Sequence, residues 1–298
     1  MINAKGEPVS LPATPLLTFD DMRFVLDLCL EAGKIAIAMR AGVDIATKFN
    51  AEDLVTSADK ALSELIMKRL AERFPEDLVL SEEAPWLAAN DGRRRWIIDP
   101  IDGTKFYVDG SGKYAIMVGL IVDGREAFGA LAIPARDVAF MGGPGLGAFV
   151  YREEALTPLA GSVSALEQNF QAVGEKPLRL MVSKNDLNAN PWLKELPGVE
   201  LVTASSIGFD VFELHLRLAD LFVHIRPTLG YWDTAASGAV AQAMGFEVGS
   251  ERADFLSYGY ESPTHLPHVV IGKPGALKVW RRLFEEHCRC RVSAVATD

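Results

Sequence analysis

Trp96-Ile97-Ile98-Asp99-Pro100-Ile101-Asp102-Gly103-Thr104 is the stretch from which the rest of the chain is read. Three apolar residues of high β propensity run straight into two aspartates three apart, then a glycine and a threonine. This is a strand whose end aims hard oxygen ligands into a cleft. Pro100 stiffens the turn. Gly103 lacks a Cβ, so the backbone there can approach a ligand closely. If a helical turn starts at Thr104, its free N–H groups face whatever anion sits there. Taken alone, the same residues also suit an Asp-Pro and Asp-Gly turn with no chemistry.

Upstream of this stretch, residues 78–80 form a further strand-like run. Residues 20–41 read as an amphipathic helix, with Asp20 as its cap and Gly42 as its end. Its apolar face is Met22, Val25, Leu26, Cys29 and Leu30. A second helix over 57–74 presents Leu62, Leu65, Ile66 and Leu70 on one side. Ser57 suits its N-cap, and Asp59 then lies in the first turn, where the helix dipole favours an anion. Downstream, strands are expected over 115–122, 127–133, 138–141 and 148–151. Asp123-Gly124, Pro134 and the glycines of 142–147 separate them, as in the hairpins of an antiparallel sheet.

Between 152 and 176 the periodicity is lost and the sequence turns polar, so a domain division is expected at 152/153. Beyond it, strands near 178–182, 200–203, 221–225 and 268–271 alternate with helices near 186–196, from 206, over 232–244 and over 274–288. The expected fold class is therefore mixed: an α+β unit with an antiparallel sheet over 1–152, then an α/β unit over 153–298. No internal repeat or low-complexity tract is present.

The 298 residues are 49% hydrophobic and 23% charged, an ordinary globular composition. No stretch approaches the roughly 18 uninterrupted apolar residues of a membrane span. Met1 to Asp20 carries Lys5 but no continuous apolar core after it, so no secretory signal is expected. Three cysteines, Cys29, Cys288 and Cys290, make no disulfide framework. His287-Cys288-Arg289-Cys290 lacks a second pair for zinc and reads as surface thiols, which fits a reducing cytoplasm. The net charge of −10 argues against binding a nucleic-acid polymer. A small anionic substrate is still compatible, because bound divalent cations reverse the local field.

Three further acidic features stand at the ends of elements. Glu82 and Glu83 follow the 78–80 strand. Asp59 sits in Val55-Thr56-Ser57-Ala58-Asp59. Asp233 sits in Tyr231-Trp232-Asp233-Thr234-Ala235-Ala236, at the start of a small-residue helix. Each alone suits a solvated acid or a cap. Together they supply the oxygen ligands that Mg²⁺ requires, with water and phosphate completing its octahedron.

The order Asp53-x-x-Thr56-x-x-Asp59, Glu82-Glu83, Asp99-Pro100-Ile101-Asp102-Gly103-Thr104 and Trp232-Asp233-x-Ala235-Ala236 resembles the inositol monophosphatase superfamily. The matches span Lys48 to Ala236, and the glycine-rich hairpin at 145–149 looks like the family's too. That resemblance implies a layered α-β-α-β-α sugar-phosphatase-like fold and a metal-dependent phosphomonoesterase. It implies Mg²⁺, roughly two or three ions per site, with lithium expected to inhibit. Glu82, Asp99 and the Ile101 carbonyl would hold one ion, and Asp99, Asp102 and Asp233 a second. Asp102, Gly103 and Thr104 would cradle the phosphate. Thr104, polarised by Asp59, would orient or deprotonate the attacking water beside Glu82. Lys48 would lie near the site, and Glu83 is the weaker member of the Glu-Glu pair. A homodimer is expected on the same ground.

The substrate is less sharply marked. Lys105, the Ser205-Ser206-Ile207-Gly208-Phe209 run and Pro227-Thr228 look more like the 3'(2'),5'-bisphosphate nucleotidase branch than the inositol monophosphatases proper. Asp210 and Phe106 depart from that branch, where lysine and an acid are common. Arg226 stands where the inositol branch carries glutamate; it is either a partner for a second anionic group or a surface arginine. The substrate-side candidates are thus Lys105, Ser206, Asp210, Arg226 and Asp233. Candidate esters are adenosine 3',5'-bisphosphate, inositol 1-phosphate, histidinol phosphate and a sugar bisphosphate. The competing class is a non-catalytic relative that binds a phosphorylated metabolite. His215 is read as packing or surface, His265 and His268 as loop residues, and Arg93-Arg94-Arg95 as a solvated turn.

Overall fold

A computed structural model of the chain describes residues 16–47, 54–87, 94–159, 163, 166, 177–265 and 268–295. Lys48, Asp53, Arg93, the first 15 residues and most of 160–176 lie outside them, as does the side chain of Cys290. In chain order the elements are α1 (Phe19–Met39), β1 (Ile45–Thr47), β2 (Leu54–Thr56), α2 (Ser57–Arg73), β3 (Leu78–Ser81), β4 (Arg95–Asp102), α3 (Thr104–Val108), β5 (Ala115–Val122), β6 (Arg125–Ile133), β7 (Val138–Gly143), β8 (Gly147–Arg152) and β9 (Ala155–Pro158). They continue with β10 (Leu178–Val182), α4 (Lys184–Ala189), β11 (Val199–Thr203), α5 (Ile207–His215), β12 (Leu221–His224), α6 (Tyr231–Ala243), β13 (Glu247–Gly249), β14 (Val269–Gly272) and α7 (Ala276–Val295).

β3 to β9 form a seven-stranded sheet in sequence order, and β9 carries it past residue 152. A five-stranded sheet has the order β11-β10-β12-β14-β13. α1 and α2 pack on one face of the larger sheet, α5 and α6 on the other, and α7 covers the smaller sheet. The layers therefore run α-β-α-β-α.

Alternation along β4 explains why its apolar run is continuous. Trp96 and Ile98 face Leu26, Leu62 and Ile66 of the α1/α2 layer. Ile97 faces the α5/α6 layer with Phe209, Ala235 and Val240. A strand buried on both faces needs apolar residues at every position. Asp99 shares the parity of Ile97, so it points toward α6.

The approach of α6 is set by small residues. A Cβ on Gly119 would lie 2.5 Å from the Ala235 carbonyl carbon, and one on Gly129 would lie 2.4 Å from the Ala236 carbonyl oxygen. The helix backbone thus rests directly on β5 and β6, which fixes where its first turn ends up.

Several local expectations are corrected. Thr18, not Asp20, caps α1: its hydroxyl accepts from the Asp21 N–H, and the Asp21 carboxylate accepts back from Thr18. Thr56, not Ser57, caps α2 in the same reciprocal arrangement with Asp59. A cap needs an extended backbone one residue before the helix, and its partner three residues on decides which hydroxyl takes the role. The helix expected over 186–196 ends at Ala189, because Pro191 cannot continue it; a 3₁₀ turn over Pro191–Glu195 follows. Among the described residues of the Arg93-Arg94-Arg95 run, Arg94 forks onto Asp77, and Arg95 is 2% exposed, donating to the carbonyls of Tyr258 and Gly259. Those two arginines are not a solvated turn. Cys29 is buried on α1, and burial pushes its thiol pKa up, whereas Cys288 is exposed. Among the described residues no helix is long and apolar enough to cross a membrane.

Candidate metal centre and phosphate cradle

A bulge in β4 aims its two aspartates at one point. Residues three apart on a regular strand point to opposite faces. Here the β4–β5 register shifts between Asp99 and Asp102, so the bulge turns Asp102 back to the face of Asp99. α6 delivers the third carboxylate, since Asp233 lies in its first turn and accepts from the Gly230 N–H at 2.6 Å. One oxygen from each of Asp99, Asp102 and Asp233 lies within 4.8 Å of the others.

Glu82 reaches the same place for a topological reason. β3 pairs parallel to β4 and ends at Ser81, opposite Ile98, so the chain leaves β3 beside Asp99. The Glu82 N–H donates to the Ile98 carbonyl at 3.1 Å, one residue before Asp99.

The electrostatics ask for a cation. Asp99 is 2% exposed, and among the described residues its Oδ1 has no hydrogen-bond partner. Burial raises its pKa well above the carboxylate range, and the charges of Glu82, Asp102, Asp233 and Asp59 push the same way. Burial likewise raises Asp102 to about 6, although its Oδ2 accepts from the Gly208 N–H at 2.7 Å. A buried carboxylate cluster of one sign is costly unless a cation or protons neutralise it. Hard oxygen donors at this spacing fit Mg²⁺.

Gly103 has φ +87°, the left-handed region, and a Cβ there would sit 2.6 Å from the Ser206 Cβ. Glycine is therefore required by the turn and by α5 as much as by any ligand. α3 begins at Thr104, and the first N–H groups of a helix have no partner within it. The Thr104 hydroxyl donates to Asp59 Oδ1 at 3.1 Å or to the Ile101 carbonyl at 3.2 Å. Asp59 Oδ2 is taken by the N–H and hydroxyl of Thr56, leaving Oδ1 for Thr104. Burial raises the Asp59 pKa against those hydrogen bonds.

The substrate-side residues divide. Lys105 is exposed on α3. Ser206 and Asp210 are 4% and 1% exposed; Asp210 Oδ1 accepts from the N–H and hydroxyl of Ser205. Arg226 gives its Nε to the fully buried Asp186 at 3.1 Å, and among the described residues its two terminal nitrogens have no hydrogen bond. Burial would raise Asp186, but hydrogen bonds from His224 and Ser183 and the charges of His224 and Arg226 hold its pKa well below the usual range. His215 packs edge-on against Phe140.

Sequence reading missed the segment 258–265. His265 is 7% exposed and shares a hydrogen bond with Thr234, next to Asp233. Burial lowers its pKa from 6.5 to about 4. The folded protein thus stays unprotonated here while an unfolded histidine takes up a proton. Stability from this group is complete above about pH 6.5 and is lost as pH falls toward 4, by about 3 kcal/mol. Urea unfolding across that window is expected to show a shallower pH slope in His265→Gln; an unchanged slope would assign the loss to other groups.

A model of the inositol monophosphatase family matches residues 22–275. The chain is 27% identical over 241 residues to the Escherichia coli 3'(2'),5'-bisphosphate nucleotidase CysQ, covering 78% of this chain and 92% of that one. It is 27% identical over 266 residues to the Bacillus subtilis inositol-1-monophosphatase, covering 88% and 94%. A histidinol-phosphatase from Chlorobaculum parvum is 34% identical over 132 residues, 44% of this chain and about half the length of that relative. A staphylococcal IMPase-I structure matches the fold with a TM-score of 0.72 at 17% identity, over 90% of this chain and 96% of the other.

Proposed function

The chain belongs to the inositol monophosphatase family and is a phosphoric monoester hydrolase, and from that premise we propose that it hydrolyses a small phosphate monoester with Mg²⁺ held by Glu82, Asp99, Asp102, Asp233 and the Ile101 carbonyl. The observations that carry this reading are the convergence of the Asp99, Asp102 and Asp233 carboxylates and the burial of Asp99 Oδ1 with no hydrogen-bond partner among the described residues. When bound, the cations supply Lewis acidity toward the phosphate oxygens, the attacking water and the leaving oxygen.

The chain's own residues do the rest. The N–H groups of Gly103 and Thr104 receive the phosphate at the start of α3. Thr104, donating its proton to Asp59 Oδ1, keeps lone pairs with which to accept a proton from the attacking water. Asp59, whose pKa burial has raised, is then the acceptor at the end of that relay. Water adds in line, the ester P–O bond breaks, and the leaving alkoxide takes up a proton. No covalent enzyme intermediate is needed.

For the substrate we propose a 3'(2'),5'-bisphosphate nucleotide. Lys105 beside the cradle and the two open nitrogens of Arg226 suit a second anionic group. Equal identity to the nucleotidase and to the inositol-1-monophosphatase keeps inositol 1-phosphate as the second reading, with histidinol phosphate and sugar bisphosphates behind. The chain's cysteine usage suits the cytoplasm, and by family likeness we propose a homodimer inhibited by lithium. The proposed units, 1–152 and 153–298, supply Glu82 to Thr104 and Asp233 respectively.

A phosphate-release panel over these four esters tests the proposal. Release is expected only with Mg²⁺, fastest from adenosine 3',5'-bisphosphate. Arg226→Ala is expected to narrow that preference by roughly ten- to a hundredfold, the worth of a charge-assisted hydrogen bond of about 1.5–3 kcal/mol. Full release in chelator, or none from any ester, contradicts it.

A further inference from the structure

We propose that the segment from Tyr258 to His265 is a strap that sets the spacing of the metal ligands, with His265, Arg95 and Trp86 as its positioning residues; this rests on the metal reading above. The strap touches each of the three chain segments that carry ligands.

Toward Asp233, the strap forms an antiparallel bridge from Thr264 to Gly230. The Pro263 carbonyl accepts from the Tyr231 N–H at 2.6 Å, and the Leu229 carbonyl accepts from the His265 N–H at 3.0 Å. His265 Nε2 and the Thr234 hydroxyl lie 2.5 Å apart. Gly230 is the residue whose N–H holds Asp233 Oδ2. The strap therefore fixes a donor that orients the Asp233 carboxylate beside Asp99 and Asp102.

Toward β4, the Arg95 guanidinium donates to the Gly259 carbonyl at 2.6 Å and the Tyr258 carbonyl at 2.7 Å. It also lies over the Tyr260 ring, 4.2 Å from the centroid. Arg95 opens the strand that ends in Asp99 and Asp102. Toward Glu82, the Trp86 indole N–H donates to the Tyr260 carbonyl at 2.9 Å, and its ring meets Tyr231 edge-on. The Tyr258 hydroxyl donates to the buried Glu126 on β6 at 3.0 Å, anchoring the strap to the sheet.

Residues outside a metal's ligand set that orient the ligands commonly change affinity by about 10–100-fold. The test is Mg²⁺ titration by calorimetry, and Tb³⁺ luminescence, on full-length His265→Ala, His265→Gln and Trp86→Phe. Near-UV circular dichroism selects temperatures at which each variant is folded. His265→Ala is expected to weaken Mg²⁺ binding about tenfold or more, His265→Gln to recover part of it by keeping a partner for Thr234, and Trp86→Phe to weaken it several-fold. Folded variants that bind Mg²⁺ like the wild type overturn the strap, even if their melting temperatures fall. A wild-type chain that binds no Mg²⁺ overturns instead the metal reading beneath it.

Discussion

Asp102→Asn is expected to lower phosphate release at saturating Mg²⁺ by on the order of a thousandfold, the scale at which removal of one preorganised electrostatic group is felt. The substitution keeps shape and keeps an acceptor for the Gly208 N–H, 2.7 Å from Oδ2. What it removes is one negative charge from a buried cluster in which Asp102 already sits at about 6. The metal-free variant is therefore expected to melt at or above the wild-type temperature near neutral pH, because a buried charge near Asp99 is no longer opposed by its neighbours. Loss of activity without loss of stability separates a ligand from a core residue. Phosphate release and metal-free melting, measured on the same preparation, check both halves. Full activity in this variant would remove the mechanism.

Gly129→Val has the second large effect, by a different route. A Cβ at this position meets backbone, 2.4 Å from the Ala236 oxygen and 2.8 Å from its Cα. Backbone cannot rotate away, so α6 must lift from the sheet. Overpacking of this kind costs about 1–3 kcal/mol, and a displacement of about 1 Å in a reacting group costs on the order of a hundredfold in rate. The variant is thus expected to lose melting temperature and kcat/KM together, since the lifted helix carries Asp233. Gly42→Ala is the control, with nothing within 4 Å of a Cβ there. Thermal melts and steady-state kinetics on both variants are the check; a Gly129→Val enzyme with wild-type kcat/KM would show that α6 does not set the site.

Residues close in sequence were the legible part of the site. Asp99, Asp102, Gly103 and Thr104 are neighbours on one strand end, so their convergence is nearly local. Strand and helix alternation gave the two sheets, because apolar periodicity is imposed by the layers that bury it. Glu82 was marked by its place after the 78–80 strand, but its assignment to a particular ion came through family likeness. Its proximity to Asp99 comes from the parallel pairing of β3 with β4, which no local pattern encodes.

The strap was illegible for a related reason. Arg95 sits in a run of three arginines that looks solvated, yet its partners are two carbonyls more than 160 residues away. His265 lies between prolines and reads as loop, while among the described residues its side chain bonds to Thr234, on a helix that begins at Tyr231. Gly119 and Gly129 carry no local mark of their role, because the α6 backbone that rests on them is remote in sequence. By contrast, the Pro191 break in the 186–196 helix carried a direct signal in the sequence, the missing N–H of proline. Thr18 and Thr56 could have been found too, since each stands three residues before an aspartate that answers it.

Anomalous diffraction from crystals soaked in Mn²⁺, used in place of Mg²⁺, tests the central claim most directly. The expected map shows strong peaks bounded by oxygens of Asp99, Asp102 and Asp233, with Glu82 and the Ile101 carbonyl completing the ligand set. A map with no peak between those carboxylates at saturating Mn²⁺ would contradict it.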